Sequence, residues 1–509
     1  MEHKDFTTNY ASVTAILLVL FFLLSRFLDV ERFPNEPPYI TSSIPYFGHA
    51  IGLFLNKIPY YNKVNAKHNY PAFTLAMPAG KVYVVSFPDV AREVQRHSKT
   101  LSFPWIEAIF GVRVAGLSKE GAALVFSNVQ GEGGEHGIFF DGLKFMINIL
   151  KPGVALDEMI KAMLESVSDT MSEFDEGPIS EDIDLWAWIK HMMILATTDA
   201  IYGPGNPFKD PQLEGDMWYI SDNVSSLLIG ILPMVFARKS HLAHQRVTQA
   251  FENFYLHGKE ETSSTMTQGR YNDTKGTMSL NDIARLDVAQ GITVLSNTVP
   301  SGFWTLYHVL SKPDVLSLVR SEAMKHLHTE EVNGKIQQTL DVKGIRSSTI
   351  LESVLKESLR HQALGMGTRM VVEDVIIGGA NPFLLKKDCF VMLPNQPMHF
   401  NEKVWGANVR EFDPLRFTKS GGSHQSVAFR GFGGGANLCA GRFFASTEIL
   451  CIVSMCVLRY DVEPVGGIWN NPSPDHNVMS SVVTPPLKKT VVRMRSRRGV
   501  EGGTWGFRL

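Results

Sequence analysis

Between Asp5 and Arg26 the chain carries no charged residue, and residues 15–24 form an unbroken apolar run. As a helix, an uncharged stretch of this length is just long enough to cross a bilayer. Glu2, His3, Lys4 and Asp5 do not make the basic start of a cleaved signal, and no small-residue cleavage site follows Leu24. The expectation is a retained anchor over residues 1–33, crossing the membrane once at roughly 8–28. Arg26 and Arg32 after the span, against Lys4 before it, place the remainder on the cytosolic side. Pro34, Pro37 and Pro38 open a stiff linker, residues 34–50, and the folded body takes residues 51–509.

Within the body the apolar spacing switches between helical and strand periods. Helices are predicted over 58–68, 88–97 and 139–150, the last ending before Pro152, and two strands of a hairpin over 72–76 and 81–86. Residues 103–116 have mixed loop character, and 217–236 are strongly apolar and read as core. Residues 258–280 are polar, with Ser263, Ser264, Gly269, Asn272 and Gly276, and read as a surface loop. Ser279-Leu280-Asn281-Asp282 starts a long helix that continues to Ser311, where Lys312-Pro313 stops it. Leu351, Val354, Leu355 and Leu359 form the stripe of a further helix that carries Glu357 and Arg360 on one face. A strand over 388–393 and a buried helix over 441–460 complete the pattern.

Composition narrows the class. A length of 509 residues alone would suggest roughly three domains, and a formal net charge of −2 gives no sign of a nucleic-acid partner. The four cysteines, Cys389, Cys439, Cys451 and Cys456, have no C-x-x-C pair and no framework spacing, which fits reduced thiols in a cytosol-facing body.

The chemistry centres on Phe432-Gly433-Gly434-Gly435-Ala436-Asn437-Leu438-Cys439-Ala440-Gly441-Arg442. A cysteine after a glycine-rich loop and just before a helix has its thiolate favoured by the helix dipole and by nearby N–H groups. The glycines let backbone approach something flat and bulky and supply positive φ. A phosphate-cradling loop is a poor fit, because Gly421-Gly422-Ser423-His424 upstream is irregular and not a strand. An inert buried cysteine stays open on this loop alone. At this point the chain resembles the cytochrome P450 haem-thiolate monooxygenases, whose signature Phe-x-x-Gly-x-x-x-Cys-x-Gly is met by Phe432, Gly435, Cys439 and Gly441.

The resemblance implies a mainly α fold with small β-sheets, preceded here by one transmembrane helix. It also implies haem b held through an axial thiolate from Cys439, a ligation that favours O–O cleavage. Glu411-Phe412-Asp413-Pro414-Leu415-Arg416-Phe417 resembles the family's Pro-x-Arg-Phe element, so Glu357, Arg360 and Arg416 are expected to form a buried charge triad that locks the Cys439 loop. The tryptophan and arginine that many relatives aim at a haem carboxylate from the 139–150 helix are not found, and Asn437 stands where many carry a basic residue. Arg369 is the candidate in their place, with Lys144 and Lys151 behind it.

In the family the long helix crosses the haem and pairs an acid with a threonine for proton delivery. Here Ser296 and Asn297 take those positions, in Ser296-Asn297-Thr298-Val299-Pro300 followed by Phe303-Trp304, a version similar to the steroid 7α-hydroxylase and prostacyclin synthase branch. Pro300 has no N–H and leaves the Ser296 carbonyl unpaired, so Ser296, Asn297 and Thr298 are the candidates for holding a proton-relay water. Residues 217–236 match the family's substrate-channel region, and 482–486 with 490–494 resemble the terminal hairpin whose turn touches substrate.

The resulting expectation is a membrane-anchored monooxygenase of the endoplasmic reticulum. It takes electrons from NADPH-cytochrome P450 reductase, since no flavin or nicotinamide module is apparent, and inserts oxygen from O2 into an apolar terpenoid, steroid or alkaloid of a biosynthetic pathway. Membrane lipid is a partner and nucleic acid is not. A haem-thiolate isomerase or dehydratase working without reductase, and a non-enzymatic haem-binding membrane protein, are the alternatives.

Overall fold

The computed structural model describes residues 31–42, 44, 47–78, 80–134, 136–176, 182–229, 237–332, 335–378, 381–419, 423–497 and 504–509. The apolar span at 8–28 lies outside the described residues. Among the described residues no helix is long and apolar enough to cross a membrane.

The described residues divide into two compact units, those of 31–103 with 366–398 and those of 104–365 with 399–509. The smaller unit is built on a six-stranded sheet in the order Tyr39–Ile40, Ala72–Met77, Gly80–Val85, Phe390–Pro394, Met366–Val371, Leu101–Ser102. The hairpin at its middle pairs Ala72 with Val85 and Phe73 with Val84, and Phe390 runs parallel beside Val82. Phe73, Leu75 and Val84 are fully buried from this sheet, and Tyr61 and Val64 of the Pro59–His68 helix pack with them.

The larger unit is mainly helical. Its central element is the Leu280–Leu310 helix, which starts where Ser279 accepts the Asp282 N–H and runs through Pro300 without ending. Nearly all of its second half is buried, so the polar groups it carries there must find partners inside the protein. Its first half is fixed by Asp287, which is fully buried and accepts hydrogen bonds from Tyr202, Tyr255 and Arg270. One carboxylate thus ties three other helices, Leu185–Tyr202, Arg238–Leu256 and Thr265–Thr274, to the central one. At Gly302 an added Cβ would lie 2.5 Å from the Met193 sulfur, so a larger residue there would have to push that side chain aside.

Three expectations are corrected. Residues 103–116 are not a loop: Pro104–Ala115 is a helix with proline in the first turn, where its missing N–H costs nothing, and Glu107 near the positive end of the dipole. The polar stretch 258–280 holds a second helix, Thr265–Thr274, opened by Ser264 accepting the Thr267 N–H at 3.3 Å. Residues 482–486 form no hairpin with 490–494. Val491–Ser496 pairs instead with Tyr460–Pro464 on one side and Ile183–Asp184 on the other, while 482–486 turns inward against the central helix. The last strand, Thr504–Arg508, lies parallel to Lys335–Asp341. Of the apolar 217–236 stretch, Met217, Trp218, Ile220 and Val224 are buried, and 230–236 lies outside the described residues.

Candidate functional site

Gly433–Gly434 and Asn437–Leu438 pair as a minimal two-stranded ribbon, and Cys439 follows directly. Gly433 and Gly435 hold φ of +79° and +65°, and a Cβ on Gly433 would meet the Asn437 carbonyl at 2.9 Å, so this turn requires glycine. The Cys439 N–H donates to the Phe432 carbonyl at 2.9 Å, which closes the loop through backbone alone. Three residues on, Arg442–Arg459 begins the buried helix behind it, and the Arg442 guanidinium donates to the Cys439 carbonyl at 2.9 Å.

All four cysteines are free, and only Cys439 is exposed. Burial nonetheless pushes its thiol up, against the pull of the Gly441 and Arg442 N–H groups and the Arg442 charge. The residue thus reaches the surface while its thiol is largely surrounded by protein. A thiol whose pKa is raised, yet which backbone N–H groups already face, becomes a thiolate when a cation is bound to it. Cys451, pushed to about 12, and Cys456 are buried in the helix behind and do not reach the surface.

Glu357 and Arg360, both fully buried, sit one helical turn apart on Thr349–Gln362. Arg360 donates to both carboxylate oxygens, at 2.8 and 2.9 Å, and Arg416 brings its Nε to the same carboxylate at 3.0 and 3.2 Å. The Asp413 N–H adds a further bond at 3.0 Å. Burial alone would raise the Glu357 pKa, but the hydrogen bonds from Arg360 and His361 with the Arg360 charge carry it well below the usual carboxylate range.

The triad reaches the cysteine loop through one histidine. Arg360 donates to the His399 carbonyl at 2.8 Å, and His399 Nε2 accepts the Arg430 N–H at 2.8 Å. Arg430 lies two residues before Phe432 and its carbonyl accepts the Gly433 N–H. Neither His399 nor Arg430 carries a cue in the sequence, because each matters through a partner 31 positions away. With Nε2 accepting, the His399 proton sits on Nδ1. That Nδ1 and the Arg430 Nε and Nη1 are buried and have no partner among the described residues. Burial holds His399 neutral, with a pKa lowered to about 3, and drops Arg430 to about 10. Three orphaned donors beside the loop are complementary to an anionic group, since leaving them unmade costs about 1 to 3 kcal/mol each. A haem, with its iron for the thiolate and its carboxylates for such donors, fits this set.

The remaining candidates are placed as follows. Asn297 Oδ1 accepts the N–H groups of Val482 and Val483 at 2.7 and 3.3 Å, and Ser296 Oγ donates to the Ser480 carbonyl at 3.2 Å. Thr298 is half-buried one residue further. Arg369 belongs to the smaller unit, where it donates to the Thr368 carbonyl at 2.7 Å and stacks over Phe103. Lys144 lies 3.8 Å over the Phe140 ring, and Lys151 meets Asn148.

Glu448, on the helix behind the cysteine, escaped notice in the sequence. It is fully buried, Thr197 donates to its Oε1 at 2.8 Å, and its Oε2 has no partner among the described residues. Burial pushes it from an ordinary 4.5 up to about 8. Between those values the native chain keeps a proton that the unfolded chain has lost, so stability falls as pH rises through the window. Glu448→Gln should flatten this fall, worth up to about 1.4 kcal/mol per pH unit. Thermal melting of both proteins from pH 5 to 8 reads it; parallel curves would place the charge elsewhere.

A family model for cytochrome P450 matches residues 37–492. The cytochrome P450 monooxygenase nodJ of Hypoxylon pulicicidum is 33% identical over 94% of this chain and 93% of its own length. The 7-alpha-hydroxycholest-4-en-3-one 12-alpha-hydroxylase of Oryctolagus cuniculus is 24% identical, covering 86% and 88%, and cytochrome P450 7A1 of Sus scrofa is 24% identical, covering 93% and 95%.

Proposed function

This chain belongs to the cytochrome P450 family and is an oxygenase, and we propose that it inserts one oxygen atom from O2 into a polycyclic, largely apolar small molecule of terpenoid or steroid type. The observation that carries the reading is the free, exposed residue Cys439 on a glycine-turned loop locked by backbone and by the Glu357 network. The family binds haem b through an axial cysteine thiolate, and when bound the haem supplies the iron chemistry that activates O2. Membership removes support from a non-enzymatic haem carrier.

Cys439 would hold the iron, with Phe432, Gly435 and Gly441 shaping its loop, and the orphaned donors of Arg430 and His399 would take a carboxylate. Glu357, Arg360 and Arg416 keep that loop in place without touching substrate. Ser296, Thr298 and the Asn297 Nδ2H2 would hold a water for proton delivery, next to the carbonyl that Pro300 leaves unpaired. The substrate class is supported by the steroid named for one relative. The electron donor would be NADPH-cytochrome P450 reductase, at a membrane to which residues 1–33 anchor the body through the linker at 34–50.

The test is isotopic. With reductase, NADPH and 18O2, a panel of sterols and terpenoids should yield a product carrying one labelled atom. Conversion without NADPH, or a product without label, would make the chain an isomerase or dehydratase and overturn the reading.

A further inference from the structure

We infer that Asn297 is a positioning residue that clamps the 480–484 loop to the central helix and thereby sets which substrates fit, and this rests on the oxygenase reading of the same site. One carbonyl oxygen, Asn297 Oδ1, accepts two successive backbone N–H groups, Val482 at 2.7 Å and Val483 at 3.3 Å. Serine or threonine at this position carries a single short hydroxyl; the amide carbonyl reaches one bond further, far enough to serve both donors. Around it the loop is gripped on every exit. Ser296 Oγ holds the Ser480 carbonyl at 3.2 Å, Trp304 Nε1 holds the Thr484 carbonyl at 2.7 Å, and Ser221 Oγ reaches Ser480 Oγ at 3.3 Å. From the opposite side Gly365 donates to the Val482 carbonyl at 2.9 Å, at a position where a Cβ would stand 2.6 Å from Val482 Cα.

The loop has no regular pairing of its own beyond the single bridge between Pro474 and Pro486. Its conformation is therefore imposed by these side chains, and Asn297 supplies the two bonds at its centre. Asn297 thus has a duty toward the loop beside any it has toward a water. The Oδ1 is committed to the loop, and only Nδ2H2 faces elsewhere.

The experiment uses the full-length, haem-loaded protein and needs no turnover. Hydrogen–deuterium exchange at the Val482 and Val483 amides should quicken roughly tenfold or more in Asn297→Ala, which strands both donors, and stay near wild type in Asn297→Asp, which keeps the acceptor. Spectral titration with 4-phenylimidazole should show a shift of severalfold in affinity for Asn297→Ala, while bare imidazole, too small to feel the loop, binds unchanged. Asn297→Thr should move both readouts in the same direction, and it serves if the alanine variant does not fold. Wild-type exchange in Asn297→Ala or Asn297→Thr, or an equal change with imidazole, would overturn the clamp. Failure of oxygen insertion would leave these exchange rates as they are, so the two readings fall separately.

Discussion

Cys439→Ser gives a protein without the strongly red-shifted absorption of reduced, carbon-monoxide-bound haem-thiolate, and with turnover at background. The substitution isolates the sulfur, because everything that shapes the loop is backbone: the Cys439 N–H to Phe432, its carbonyl to Arg442, and the positive φ of Gly433 and Gly435. A serine hydroxyl keeps those bonds and loses the soft anionic ligand. The apoproteins should melt within a degree or two of each other, since a surface-lining Cys→Ser change is usually within about 0.5 kcal/mol. A serine variant that keeps the red-shifted band and full activity would remove Cys439 from the iron.

Glu357→Ala and Arg360→Ala should each give poorly folded protein with little haem, for a different reason. Removing Glu357 leaves Arg360 and Arg416 aimed at one another across a buried gap, and removing Arg360 takes two hydrogen bonds from the buried carboxylate, leaving it Arg416 and the Asp413 N–H, and frees the His399 carbonyl. Breaking such a pair from one side costs about 3 to 5 kcal/mol, against the roughly 5 to 15 kcal/mol that holds an ordinary domain together. Arg360→Lys should rescue only in part, because an ammonium cannot offer the parallel Nε and Nη2 bonds that the carboxylate takes. Haem content after purification, measured against wild type, reads the effect; normal content in both alanine variants would make the network dispensable.

Local signals explain which features could be read from the chain. The central helix announced itself through a capping Ser279, a long apolar pattern and a terminating Pro313, all within its own span. The cysteine loop was legible because glycine, cysteine and helix start lie within ten positions. Pro104–Ala115 was missed because Trp105, Phe110 and Gly111 break a clean amphipathic stripe, and Thr265–Thr274 because it buries only Met266 and Thr267. What no local rule reaches is the pairing of distant segments. Asn297 meets Val482 across 185 positions, and Glu448 meets Thr197 across 251. The sequence around Asn297 therefore points only to its chemistry, and its grip on the loop belongs to the fold.

The closing segment of the chain governs the order in which the larger unit can be completed. Trp505 carbonyl accepts from Ser168, Thr490 carbonyl accepts from Leu185, and 480–484 covers the face of the central helix at Ser296, Asn297 and Trp304. The Thr504–Arg508 strand seats itself beside Lys335–Asp341, parallel and far upstream. These pairings span 337 positions between Ser168 and Trp505 and 185 between Asn297 and Val482. The helices can form and collapse early from contacts close in sequence, but the pairings that fix their final arrangement have very long loops to close. The larger unit therefore locks at the pace of these distant pairings and not at the pace at which its helices form.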